Sequence, residues 1–139
     1  MRAFILDDDK TVAGITTGLL KAGDIESDVA DFNGDIITQL RAGTYDVVLM
    51  DIMMPNVDGI ELCRQIKSDS SFDVVKVVIV SGKAYDFDKR RAKQVGANGY
   101  IPKPLNPVRF AEDIRAIVEA SFSVTYWGVR GTLPVPGKN

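Results

Sequence analysis

The stretch Asp46-Val47-Val48-Leu49-Met50-Asp51-Ile52-Met53-Met54-Pro55-Asn56-Val57-Asp58-Gly59 runs from an unbroken apolar segment into an acid and then a turn. Apolar residues without polar alternation over Val47–Met50 predict a strand covered on both faces, and Val77-Val78-Ile79-Val80 repeats the pattern. Strand-like runs fall at residues 3–6, 27–31, 46–50, 76–80 and 98–101. Segments of helical character lie between and after them, near 11–22, 34–42, 59–68, 87–95 and 107–120. On the first of these Ile15, Leu19 and Leu20 share one helix face, and on the last Phe110, Ile114, Ile117 and Val118 do. Asp9 suits the cap of the first helix and Pro107 the first turn of the last, while Gly23, Gly43 and Gly96 stand where helices should stop. This β-α alternation with short links predicts an α/β fold, an open parallel five-stranded sheet wound on both faces by helices.

Composition narrows the chemistry. At 139 residues the chain fits one core, and a net charge of −2 gives no bulk attraction to nucleic acid or anionic lipid. Neither is expected as a direct partner. The single cysteine, Cys63, excludes an internal disulfide, suits a reducing compartment and reads as a buried apolar side chain. No apolar stretch approaches the roughly 20 residues that span a bilayer, so the expected location is the cytoplasm. Histidine is absent, which removes His-based metal sites, a Ser-His-Asp triad and phosphohistidine chemistry within this chain.

In an open parallel sheet, ligands bind beyond the carboxyl ends of the strands. There the sequence places Asp7, Asp8 and Asp9 after the first strand, Asp51 after the third, Ser81 at the fourth and Lys103 after the fifth. Clustered carboxylates repel one another unless a cation joins them, and an oxygen-only donor set selects a hard ion, best Mg²⁺. A carboxylate held beside such an ion can attack a phosphoryl group, and a hydroxyl and an ammonium can bind the oxygens that arrive with it.

These segments together resemble the receiver domain of two-component response regulators over about residues 1–120. The resemblance rests on Leu6-Asp7-Asp8, on Leu49-Met50-Asp51 through Asp58-Gly59, on Val80-Ser81-Gly82-Lys83-Ala84, and on Gly96-Ala97-Asn98-Gly99-Tyr100-Ile101-Pro102-Lys103-Pro104. It implies a flavodoxin-like fold with strand order 2-1-3-4-5 and Asp51 as phosphoacceptor. Asp8 and Asp51 would ligate Mg²⁺ through carboxylates, Met53 through its backbone carbonyl, and Asp7 mainly through water. Lys103 would pair with the acceptor or its phosphoryl group, Lys103-Pro104 would be cis, and Ser81 with Tyr100 would form the switch pair. The implied donor is a sensor histidine kinase or a phosphohistidine transfer protein. Met53 and Lys83, two residues past the acceptor and the hydroxyl, would flank the site.

Three further expectations concern surfaces and alternatives. Lys89, Arg90, Arg91 and Lys93 make the fourth helix basic, either as a solvated face or as a partner surface. Glu112 and Asp113 on the last helix could answer it in a homodimer through the fourth helix, fifth strand and fifth helix. Residues 121–139 read as a linker and the start of a C-terminal effector, because Tyr126-Trp127-Gly128-Val129-Arg130-Gly131-Thr132-Leu133-Pro134 resembles the opening strand and loop of metallo-β-lactamase-fold hydrolases. The competing functions are a haloacid-dehalogenase-type phosphatase with Asp7 as nucleophile and Asp9 as acid/base, which leaves Asp51 without a role, and a degenerate receiver that only binds.

Overall fold

The structure is a computed structural model that describes residues 1–82, 86–119 and 126–127. Its elements alternate as the periodicity predicts: β1 (Arg2–Leu6), α1 (Lys10–Ala22), β2 (Glu26–Val29), α2 (Ile36–Ala42) and β3 (Val47–Met50). A short antiparallel pair follows, β4 (Met53–Met54) with β5 (Val57–Asp58), and then α3 (Gly59–Ser68). The chain continues through β6 (Lys76–Ser81), α4 (Asp86–Gln94), β7 (Gly99–Pro102), α5 (Phe110–Glu119) and β8 (Tyr126–Trp127).

The main sheet has the order β2-β1-β3-β6-β7-β8. Its first five members are the predicted strands in the predicted 2-1-3-4-5 order. The sixth, β8, is an addition: it lies parallel to β7, with Gly99 opposite Tyr126 and Tyr100 opposite Trp127. The rest of the expected effector segment lies outside the described residues.

Every residue of β3 is buried, as is Val77-Val78-Ile79-Val80 of β6, because helices cover both faces of the central strands. On one face Phe4, Leu6, Val48, Met50, Val77 and Ile79 pack with residues of α2 and α3. On the other, Ala3, Ile5, Leu49, Val78 and Val80 pack with α1 and α5. Arg115 of α5 ties this second layer down, its Nη2 donating to the backbone oxygens of Gly23 at 2.6 Å and Asp24 at 3.2 Å just past α1. No described helix is long and apolar enough to cross a membrane.

The helix ends follow local chemistry. The Asp9 carboxylate accepts from the backbone N–H groups of Thr11 and Val12 and so caps α1, and that of Asp58 accepts from Glu61 and caps α3. Pro107 falls in a turn ahead of α5, which begins at Phe110. Asn106 organises that turn, its side-chain oxygen accepting from the N–H groups of Val108 and Arg109.

Cys63 is fully buried in α3, and burial pushes its thiol up to about 12 against the opposing charge of Lys67. An unfolded thiol ionises near ~8.5. Between those values the unfolded chain has given up a proton that the folded chain keeps, so this contribution is complete below about pH 8.5 and shrinks as pH rises toward the folded value. Unfolding free energies from urea titrations between pH 8 and pH 10 are expected to fall more steeply for the wild type than for Cys63→Ala, by up to ~1.4 kcal/mol per pH unit. Equal slopes would contradict this assignment.

Candidate functional site

The carboxyl ends of β1, β3, β6 and β7 meet at one edge of the sheet and present the acids, the hydroxyl and the lysine. Asp7 directly follows β1 and is 7% exposed, whereas Asp8 and Asp9 are exposed. Asp51 directly follows β3, and its backbone N–H donates to the Leu6 carbonyl at 2.9 Å, which joins the ends of the two strands.

Lys103 unites the two acids. Its Nζ lies 2.9 Å from Asp7 Oδ2 and 3.0 Å from Asp51 Oδ2. Burial alone would lower the Lys103 pKa, but hydrogen bonds and charge from Asp7 and Asp51 outweigh it and hold the ammonium above its usual value. The backbone positions it: the Lys103 N–H donates to the Ser81 carbonyl at 2.9 Å, and Lys103-Pro104 is cis, as the resemblance implied.

The loop after Asp51 is held by the Asp51 side chain. Asp51 Oδ1 accepts from the Met53 N–H at 2.8 Å, so the carboxylate orients its own loop. Met53 pairs with Asp58 and Met54 with Val57 across a turn in which Asn56 takes a φ of 65°. Pro55-Asn56 is a sequence suited to such a turn, since proline presets its own φ and asparagine tolerates the left-handed region.

Gly59 allows this loop to close over α3. A Cβ there would stand 2.8 Å from Ile52 Cα and 3.1 Å from the Asp51 carbonyl oxygen, both backbone atoms that cannot swing aside. Gly59→Ala is therefore expected to cost about 1–3 kcal/mol of stability in urea unfolding. Gly18→Ala is the control. A Cβ at Gly18 meets nothing within 4 Å, and alanine there should gain up to about 1 kcal/mol. A neutral Gly59→Ala would contradict the close approach.

Ser81 and Tyr100 are both fully buried. The Tyr100 ring is turned inward, and the Ser81 hydroxyl lies near enough to its phenol to influence it. Burial raises the Tyr100 pKa, the Ser81 hydroxyl opposes this, and the nearby charges of Asp88 and Asp51 add to the rise. Tyr100 also belongs to the core cluster around Phe4 and Ile79, so it fills space as well as facing the site.

The structure brings Asp7, Asp51 and Lys103 into one contact set, and Ser81 and Tyr100 into another. Among the described residues no three acidic side chains gather into a cluster that could hold a metal by themselves. Mg²⁺ is commonly held by one or two carboxylates, with water and phosphate oxygens completing its shell. The oxygen-only donors Asp7, Asp8, Asp51 and the Met53 carbonyl fit such an ion by chemistry.

Asp113 departs from expectation. It is 8% exposed and faces Arg109, in the turn just ahead of its helix, at 3.8 Å, so it is not presented to a second molecule. Burial raises its pKa against the Arg109 charge. Its place three residues after Phe110 and one before Ile114, on the apolar stripe of α5, is the signal that marks it as inward-facing. Glu112 remains exposed. Lys83 lies outside the described residues.

Two features had no counterpart in the sequence reading. Lys67 Nζ donates to the Val75 carbonyl at 3.2 Å and to Asn98 Oδ1 at 3.1 Å, and that oxygen also accepts from the Val77 N–H at 2.9 Å. This network fixes the starts of β6 and β7 against α3. Lys89 of α4 lies over the Tyr100 ring, 5.6 Å from its centroid.

Lys103 thus bridges Asp51 to Asp7 at the sheet edge, near Ser81 and the Tyr100 ring. Residues 3–115 match the family described as response regulator receiver domain. The chain belongs to that family. The receiver is similar to the protein PilH of Pseudomonas aeruginosa, 32% identical over 84% of this chain and 97% of the relative. It is similar also to PilG of the same organism, 30% identical over 85% of this chain and 87% of that protein. Among solved structures it resembles the signal receiver domain of a DNA-binding response regulator from Colwellia psychrerythraea. That likeness has a TM-score of 0.78 and 29% identity, over 86% of this chain and 98% of the other. A CheY-like receiver domain protein from Methanospirillum hungatei gives a TM-score of 0.75 at 26% identity, over 84% and 92% of the two chains. The fold is thus the flavodoxin-like receiver fold.

Proposed function

We propose that this receiver is a phosphorylation switch in which Asp51 accepts a phosphoryl group from the phosphohistidine of a sensor kinase or phosphotransfer protein. The observation that carries it is the double ion pair of Lys103 with Asp51 and Asp7, a cation beside the Asp51 carboxylate at the sheet edge. In the transfer, an Asp51 carboxylate oxygen forms a bond to phosphorus while the donor's N–P bond breaks. The imidazole leaves with the electron pair and takes up a proton.

Bound Mg²⁺ would neutralise charge on the transferring group, with Asp8, Asp51 and the Met53 carbonyl as ligands and Asp7 acting through water. Lys103 orients the acceptor before transfer and binds a phosphoryl oxygen after it. The Ser81 hydroxyl binds another. The added charge of about −1.5 to −2 then biases the Ser81–Tyr100 pair and the surface around it.

The phosphatase alternative has less support. Asp9, its required acid/base, is exposed and spends its carboxylate capping α1, and family membership does not call on it.

The output in this proposal is an attached effector of metallo-β-lactamase fold, beginning in residues 121–139. What supports it is the Tyr126-Trp127-Gly128-Val129-Arg130-Gly131 motif alone. A reading frame that stops at Asn139 would contradict it. A homodimer through α4, β7 and α5 is retained with Glu112, not Asp113, as the available acid.

Beryllofluoride with Mg²⁺ tests the switch. The complex is expected to raise the melting temperature only when both are present and to lose that gain in chelator. No stabilisation under any Mg²⁺ concentration would overturn the proposal and favour a receiver that only binds.

A further inference from the structure

The basic helix α4 carries one lysine that its solvated face does not explain. Lys89 is three residues before Ala92, which is fully buried, so both lie on the side of α4 turned toward the sheet. Lys89 is half-buried there, while Arg90 and Arg91 are exposed. A lysine on an inner face needs a partner, and among the described residues Lys89 lies over the π-face of Tyr100, with the ammonium 5.6 Å from the ring centroid.

We propose that Lys89 is a positioning residue for the switch, holding the Tyr100 ring in its buried position near Ser81. This rests on the phosphorylation reading for its purpose, though not for its contact. In that position its face meets the Lys89 ammonium and its hydroxyl lies near Ser81. Cation–π attraction requires the charge within about 6 Å of the centroid, so a ring rotated out of the core would give up both contacts together. Lys89 thereby adds to the preference for the inward ring and couples the position of α4 to the state of Ser81. It acts through Tyr100 and touches no reacting atom.

Lys89→Met keeps the length of the alkyl stem and removes the charge, and Lys89→Arg keeps the charge. The direct readout is NMR of protein carrying ¹³C-labelled tyrosine rings, with Tyr100 assigned from Tyr100→Phe, recorded without Mg²⁺ or phosphoryl donor. Lys89→Met is expected to raise the population with a solvent-exposed Tyr100 ring about two- to fivefold, the range for a partly exposed cation–π contact. Lys89→Arg should match the wild type. The second readout is the half-saturating concentration of beryllofluoride in Mg²⁺, which should rise in Lys89→Met over a similar range. A Tyr100 spectrum unchanged in Lys89→Met would overturn the proposal, and so would equal perturbation by Met and Arg, which would assign the effect to packing. If the phosphorylation reading itself fails, the wild type does not bind beryllofluoride, and the ring spectrum still decides the role of Lys89.

Discussion

Asp51→Asn is expected to abolish phosphoryl uptake from acetyl phosphate in Mg²⁺, by at least about a hundredfold, while the protein stays folded. The amide keeps the size of the side chain, and its oxygen can still accept from the Met53 N–H as the carboxylate does at 2.8 Å. It lacks the anionic oxygen that attacks phosphorus, and a neutral amide is a far weaker nucleophile than an activated carboxylate. The same substitution removes one of the two anions facing Lys103, which then pairs with Asp7 alone. Stability should change little, because one charge-assisted contact of the lysine remains. Incorporation of phosphoryl label, separated by gel at neutral pH, checks the result. Uptake near the wild-type level would place the acceptor elsewhere.

The second large effect belongs to Lys103→Met. The lysine ammonium is the counter-charge for two carboxylates that are themselves only 7% and 12% exposed. Removing one partner of a buried pair costs about 3–5 kcal/mol. The open edge of the site admits solvent, so about 2–4 kcal/mol is expected in chelator. Mg²⁺ should restore part of the loss, since a cation among the acids takes over the neutralising role. Urea unfolding with and without Mg²⁺ measures both quantities. The sign with pH follows from the raised Lys103 pKa. The difference between wild type and variant is complete below the ordinary lysine value near ~10.4 and is lost as pH rises through the higher folded value. Equal stability of the two proteins in chelator at neutral pH would contradict the ion-pair account.

Much of this fold was legible because its central strands need cover on both faces, and only unbroken apolar runs such as Val47–Met50 satisfy that need. Acids placed directly after such runs marked the sheet edge at which Asp7 and Asp51 meet Lys103. The β4–β5 pair was not legible, because strands of two residues are too short for any periodicity. The start of α5 was set by Asn106 and not by Pro107, since a side-chain oxygen can order a turn that proline merely permits.

Asp113 is an acid whose position on its helix outweighs its charge. The apolar spacing of α5 around Phe110 and Ile114 places it inward. The contact of Lys89 with Tyr100 depends on how α4 lies across β7, a tertiary distance that no local pattern encodes. The same holds for Lys67, whose partners Val75 and Asn98 come from separate parts of the chain.

The most direct measurement is to phosphorylate the full chain with acetyl phosphate and Mg²⁺, reduce it with borohydride and map the peptides by mass. Borohydride converts an aspartyl phosphate to homoserine and leaves free carboxylates untouched. Homoserine at position 51 and at no other aspartate is the predicted result. Homoserine at position 7, or none at all, would contradict it.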